Sequence, residues 1–122
     1  MPSDPYSKNR WTLYVLQTLD HSYYTGITTD LERRLREHFS LGNKASKFLK
    51  AHPPKNLVFS FGLQDRSLAL KTEYHFKKLS RKNKEKIIRH KTMTLDPSTG
   101  KIRPDSPPGQ EDWKQKLTPH KR

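Results

Sequence analysis

A chain of 122 residues, 30% hydrophobic and 30% charged, supports one small domain with tails and a single small core. It has no cysteine, which excludes a disulfide framework, a zinc–thiolate site and a thiol nucleophile. Lysine and arginine number 25 against 12 acidic residues, and the net charge of +13 points to a polyanion: nucleic acid first, a membrane surface or another polyanion second.

In chain order, residues 1–10 read as a loose arm with two prolines and no apolar centre of a signal-peptide kind. Trp11 to Thr18 is rich in β-formers and predicts a buried strand. Asp20-His21-Ser22 is a polar turn, and Tyr23 to Thr28 resumes as a second strand, so the short gap predicts an antiparallel hairpin. Thr29 or Asp30 caps a helix to about Phe39, and Gly42-Asn43 breaks it. Lys44 to Ala51 reads as a short basic helix ended by Pro53-Pro54. Leu57 to Gly62 is a third strand. Asp65 or Ser67 caps a longer helix through about Leu79, and the charged run from Ser80 to Arg89 predicts one more. From Thr92 the composition shifts: five of the nine prolines lie between Pro97 and Pro119. That segment is expected to be disordered, because its few apolar groups cannot offset the entropy of ordering it. The division is therefore an arm (1–10), a folded domain (11–90) and a basic tail (91–122). No apolar run approaches the ~20 residues of a membrane span. The expected compartment is the cytoplasm, and the charge is compatible with association with the nucleoid.

Charge is uneven. Residues 1–80 carry 13 basic and 7 acidic side chains, and residues 81–122 carry 12 and 5, so the last third is the more electrostatic.

Several side chains sit where ordinary packing does not ask for them. On the helix from Asp30, the residues Leu31, Leu35 and Phe39 form a core stripe about 80° wide, at ~100° per residue. Arg34 and His38 lie one turn apart along its edge, where a guanidinium can grip a phosphate; a snorkelling arginine and a part-buried histidine are the simpler alternative. On the later helix, Ala69, Thr72, Phe76 and Leu79 mark the buried face, and Glu73 projects at its edge. A carboxylate there needs a cation or metal, and Lys77 one turn on offers the plain answer. Tyr14 and Tyr24 are compatible with cross-strand packing. Gly26 is less ordinary, since glycine weakens a strand unless something must approach its backbone closely. Lys44, Lys47 and Lys50 cover one side of their helix. With Lys77, Lys78, Arg81, Lys82, Lys84 and Lys86 they are candidates for holding a phosphate backbone, a role that carries affinity without base specificity.

Taken together, the segment from Tyr14 to His38 (YVLQTLDHSYYTGITTDLERRLREH) resembles the GIY-YIG nuclease superfamily, its small standalone bacterial members most of all. The likeness covers about residues 11–88. Tyr24-Thr25-Gly26 fits the second motif, and Thr12-Leu13-Tyr14 fits the first with Thr and Leu in place of Gly and Ile. Thr25 replaces Ile in the second. The resemblance implies an α+β fold with a small three-stranded antiparallel sheet flanked by helices. It also implies an endonuclease that hydrolyses DNA phosphodiester bonds with one divalent cation, Mg²⁺ or Mn²⁺, held by Glu73. Tyr14, Tyr24, Arg34, His38 and Glu73 become the catalytic set: Arg34 would stabilise charge on the phosphate, and the base is one of Tyr14, Tyr24 and His38. A non-catalytic nucleic-acid-binding module on the same fold is the alternative.

Overall fold

A computed structural model describes residues 10–105. β1 (Trp11–Thr18) is the middle strand of a three-stranded antiparallel sheet, between β2 (Tyr23–Thr28) and β3 (Pro54–Leu63). The β1–β2 hairpin closes through Thr18: its hydroxyl donates to Asp20 (2.5 Å) and accepts from the Ser22 amide (2.9 Å). Thr18 is thereby buried without losing its hydrogen bonds.

The register sets Tyr14 opposite Gly26 and Leu13 opposite Ile27. Leu13, Tyr14, Val15 and Leu16 are all buried, so this strand lacks the polar–apolar alternation of a sheet with one wet face. Its neighbours alternate between two clusters instead. Leu13 and Val15 join Phe59, Leu63, Ala69, Phe76 and Ile87. Tyr14 and Leu16 join Leu49, with Tyr24, Leu31 and Leu35 around them. The single core expected from composition is thus divided between the two faces of one sheet.

The helices covering those faces begin where the capping residues direct. Asp30 caps α1 (Leu31–Ser40), Ser46 caps α2 (Lys47–Ala51), Asp65 caps α3 (Arg66–Lys78) and Ser80 caps α4 (Arg81–His90), each side chain accepting from a first-turn amide. Ala69, Thr72 and Phe76 are the buried face of α3, as the periodicity predicts. In α1 the periodicity misleads: Phe39 is 43% exposed, whereas His38 is fully buried. The helix presents the 34–38 edge to the sheet because Tyr14 supplies a hydrogen-bond partner there.

The boundary placed at residue 91 is also corrected. Met93–Leu95 (β4) and Ile102–Pro104 (β5) form an antiparallel hairpin. Met93 and Ile102 enter the larger cluster. Gly100, in the left-handed region at φ 78°, lies so close to α3 that a Cβ would sit 2.5 Å from Lys71 Cβ. Met93, Ile102 and Gly100, with Leu95 packed beside them and Asp105 bonded to the Thr92 and Thr94 hydroxyls, dock a stretch whose composition argues for disorder. The disorder expected for residues 106–122, and the arm at 1–9, lie outside the described residues.

Candidate active site

Tyr14 and His38 form the centre of the site. The Tyr14 hydroxyl and His38 Nε2 are 2.7 Å apart, and both residues are essentially inaccessible (1% and 0% exposed). Gly26 explains how the phenol fits: a Cβ at that position would lie 2.5 Å from the Tyr14 oxygen. The unusual glycine in the second strand is therefore the floor on which the Tyr14 ring lies. Tyr24, two residues away on β2, packs over the pair, its ring 6.2 Å from that of Tyr14 and 5.3 Å from that of His38.

Burial, followed by Tyr24, pushes the Tyr14 phenol above its ordinary range, against the pull of Arg34. Burial and then the Arg34 charge push His38 down to about 4, with Glu37 opposing. At neutral pH the pair is thus a neutral phenol against a neutral imidazole. His38 Nδ1 is buried and has no hydrogen-bond partner among the described residues. Such an orphan carries a cost that a purely structural histidine would avoid.

Arg34 reaches the same cluster from the preceding turn of α1. One of its nitrogens, Nη1, donates to Glu37 Oε1 (2.8 Å) and to the Lys44 carbonyl (2.7 Å). Although burial opposes it, the Glu37 hydrogen bond and the two tyrosines raise its pKa, so the guanidinium stays charged. Glu37 also holds Arg33, at 2.8 Å. Sequence reasoning passed over Glu37; its spacing of three and four residues from two arginines was the available signal.

Glu73 lies on α3, its side chain 20% exposed, and Oε2 pairs with Lys77 Nζ at 3.2 Å. The plain answer to its edge position is therefore present. Among the described residues no three His, Asp or Glu side chains converge. A cation here would take one carboxylate oxygen donor and fill its remaining positions with water. A single carboxylate with water in the other positions is a donor set that suits a hard, hydrated cation such as Mg²⁺ or Mn²⁺.

The lysines divide by what they already do. Lys44, Lys47, Lys50 and Lys82 are exposed. Lys77 is engaged by Glu73, and Lys78 lies over the Tyr74 ring at 5.4 Å. Arg81 is the most committed: it donates to the His21 carbonyl (2.7 Å) and Glu85 (3.0 Å) and stacks over Tyr23. It ties α4 to the β1–β2 turn, so its first role is structural. Lys84 lines a cleft of about 270 Å³ with Tyr23, Tyr24, Thr25, Phe48 and Lys77. Phe48 was not singled out from sequence, although a ring set among Lys44, Lys47 and Lys50 is itself a signal of nucleic-acid contact.

The hairpin thus brings two tyrosines against a histidine and an arginine from the following helix. The sequence profile of the GIY-YIG catalytic domain matches residues 10–86, and the chain belongs to that family, within a nuclease superfamily. It is similar to the UPF0213 protein YhbQ of Escherichia coli K12: 46% identical over 78 residues, which is 64% of this chain and 76% of that protein. YhbQ of Shigella boydii serotype 18 is 45% identical over 78 residues, with the same coverage. The solution NMR structure of the UPF0213 protein BH0048 from Bacillus halodurans shares 35% identity, covers 67% of this chain and 85% of that one, and gives a TM-score of 0.45. The family match ends before the β4–β5 hairpin begins. Among the described residues no helix is long and apolar enough to cross a membrane.

Proposed function

We propose that the chain is a divalent-metal-dependent endonuclease that hydrolyses phosphodiester bonds in DNA, with branched or damaged structures of the repair and recombination kind among its substrates. The observation that carries the reading is the buried Tyr14–His38 pair, built over Gly26 and set beside a charged Arg34. Packing alone asks for neither the polar pair nor the orphaned Nδ1.

Tyr14 is a poor base as a standing phenolate, because its phenol is pushed well above neutral pH. It works as a relay once substrate binding lets the attacking water reach the buried phenol oxygen. As the attacking water loses its proton to the Tyr14 oxygen, the phenol proton moves to His38 Nε2, which is a neutral acceptor. Arg34 stabilises negative charge growing on the phosphate. Tyr24, packed on both rings, keeps the relay aligned. Glu73 would hold the cation, which when bound supplies positive charge to the leaving oxygen. The exposed lysines Lys44, Lys47, Lys50 and Lys82 draw the DNA backbone without reading its bases.

The Glu73–Lys77 pair favours a second reading, a DNA-binding module without catalysis, because it leaves the carboxylate already neutralised. One experiment separates the two. Purified protein is incubated with plasmid, single-stranded and branched DNA in Mg²⁺ or Mn²⁺, and in EDTA. The nuclease reading expects metal-dependent nicking that Glu73→Gln and Arg34→Ala abolish while circular dichroism stays native. DNA shifted on a gel but left intact under every metal condition would establish the second reading.

A further inference from the structure

The cleft at the edge strand β2 is lined by two unlike sets of side chains. Tyr24 and Phe48 form one, and Lys77 and Lys84 form the other. The aromatic set is part of a row: Phe48 lies nearly parallel to Tyr24 (20°, centroids 6.1 Å) and to His52 (25°, 4.4 Å). Phe48 is nevertheless 39% exposed, so the row is not core packing. It is held from behind. His52 Nδ1 bonds Asp20 (2.8 Å), which takes a second hydrogen bond from Thr18, and these two contacts, Thr18 first, hold the Asp20 carboxyl down to about 2.

Of the two lysines lining the cleft, one has no carboxylate partner among the described residues. Lys84 is that one, whereas Lys77 has Glu73 and Arg81 has Glu85. Partial burial first, then Arg81 and Lys77, lower the Lys84 pKa, as expected where positive potential accumulates. A free anion would need no rings, and an apolar peptide would need no Lys84. A nucleotide carries a π-face and a phosphate on one molecule. Bases in a duplex already have both faces stacked on their neighbours, so only an unpaired one can offer a face to protein.

We propose that this cleft is a subsite for one unpaired nucleotide of the DNA strand, its base against Phe48 and Tyr24 and its phosphate on Lys84. Tyr24 belongs to both the cleft and the Tyr14–His38 cluster, so the subsite adjoins the position of the scissile phosphate. The substrate class narrows accordingly to DNA with an unpaired residue beside the cut: a flap, gap, junction or single strand. The polymer rests on the nuclease reading above, while the nucleotide chemistry of the cleft stands without it.

Two measurements on the full chain test this. Cleavage kinetics on one labelled oligonucleotide, unpaired or fully paired at the cut, should show KM rising about 10-fold for Phe48→Ala on the unpaired form, well beyond its effect on the paired form. Phe48→Tyr should restore most of the loss, and Lys84→Gln should raise KM and lower the salt slope of binding by about one. An equal rise on both substrates, or none, overturns the subsite. NMR titration with thymidine 5′-monophosphate, thymidine and inorganic phosphate should shift Tyr24, Phe48 and Lys84 resonances most with the nucleotide. Equal shifts with inorganic phosphate, or none with the nucleotide, overturn it as well. Nucleotide-specific shifts in a protein that cuts no DNA would retain the subsite and remove the nuclease reading.

Discussion

Leu13 and Val15 enter a cluster closed by Phe59, Phe76, Ile87, Met93 and Ile102. Tyr14 and Leu16, alternating with them on the same strand, enter a smaller one beside His38 and Arg34. The buried side chains of the first face are apolar, packed by dispersion and burial. The second gives up apolar contact to a buried hydrogen bond and an orphaned imidazole nitrogen. One strand therefore serves two faces by parity: side chains of one parity pack the larger cluster, and those of the other bring Tyr14 to the candidate site.

Breaking the apolar face should have the largest effect. Phe76→Ala is expected to cost about 3–5 kcal/mol, read as a lower urea midpoint at unchanged slope. A cost like that of a surface substitution would mean that the larger cluster does not carry the fold.

On the other face the loss should appear in rate. Tyr14→Phe should lower cleavage by roughly 10²–10⁴-fold. Its stability cost should be about 1–3 kcal/mol, because His38 Nε2 loses its partner. An unaltered rate would return Tyr14 to the packing residues and leave the two faces equivalent.

The buried histidine gives the site face a pH signature. His38 is depressed from 6.5 to about 4 in the fold, so the unfolded chain binds a proton that the folded one refuses. Its contribution is complete above pH 6.5 and is lost as pH falls from there to about 4, by roughly 3 kcal/mol. Unfolding free energies at pH 7, 5.5 and 4.5 should show this decline, and His38→Gln should flatten it. A wild-type profile as flat as the variant's would contradict a neutral buried imidazole.

The smallest effect sharpens the boundary of α1. Leu41, its C-cap, is left-handed at φ 56°. Leu41→Gly should stabilise the protein by up to about 1 kcal/mol in thermal unfolding, since only glycine adopts that conformation freely. A loss of stability would show that the half-exposed leucine contributes more by packing than its backbone costs.

Much of this was legible in the sequence because it is local. The hairpin followed from two β-rich runs around a polar turn, and two helix starts from the capping candidates Thr29 or Asp30 and Asp65 or Ser67, of which Asp30 and Asp65 are the caps. The candidate tyrosines, arginine, histidine and glutamate could be picked out in order, with the resemblance as guide. Errors arose where a long-range partner overruled a local pattern. His38 displaced Phe39 from the buried face because Tyr14 was waiting for it. The hairpin from Met93 to Pro104 ordered despite its composition because α3 and the apolar cluster received it. Phe48 carried a local signal among its lysines and four residues before His52, but its stacking on Tyr24, 24 residues away, exists only in the fold.

The sequence by itself determined the family, the antiparallel hairpin, the starts of α1, α3 and α4 (α2 begins at Lys47, three residues after the expected Lys44) and the residue types available for chemistry. These depend on backbone propensity, capping and alternation over a few residues. Only the tertiary structure decided which side of the sheet each residue serves, that the Tyr14 phenol lies over Gly26 against His38, and that Phe48 and Lys84 face one cleft. Those are contacts between groups distant in the chain, and their energies exist only once the sheet brings them together.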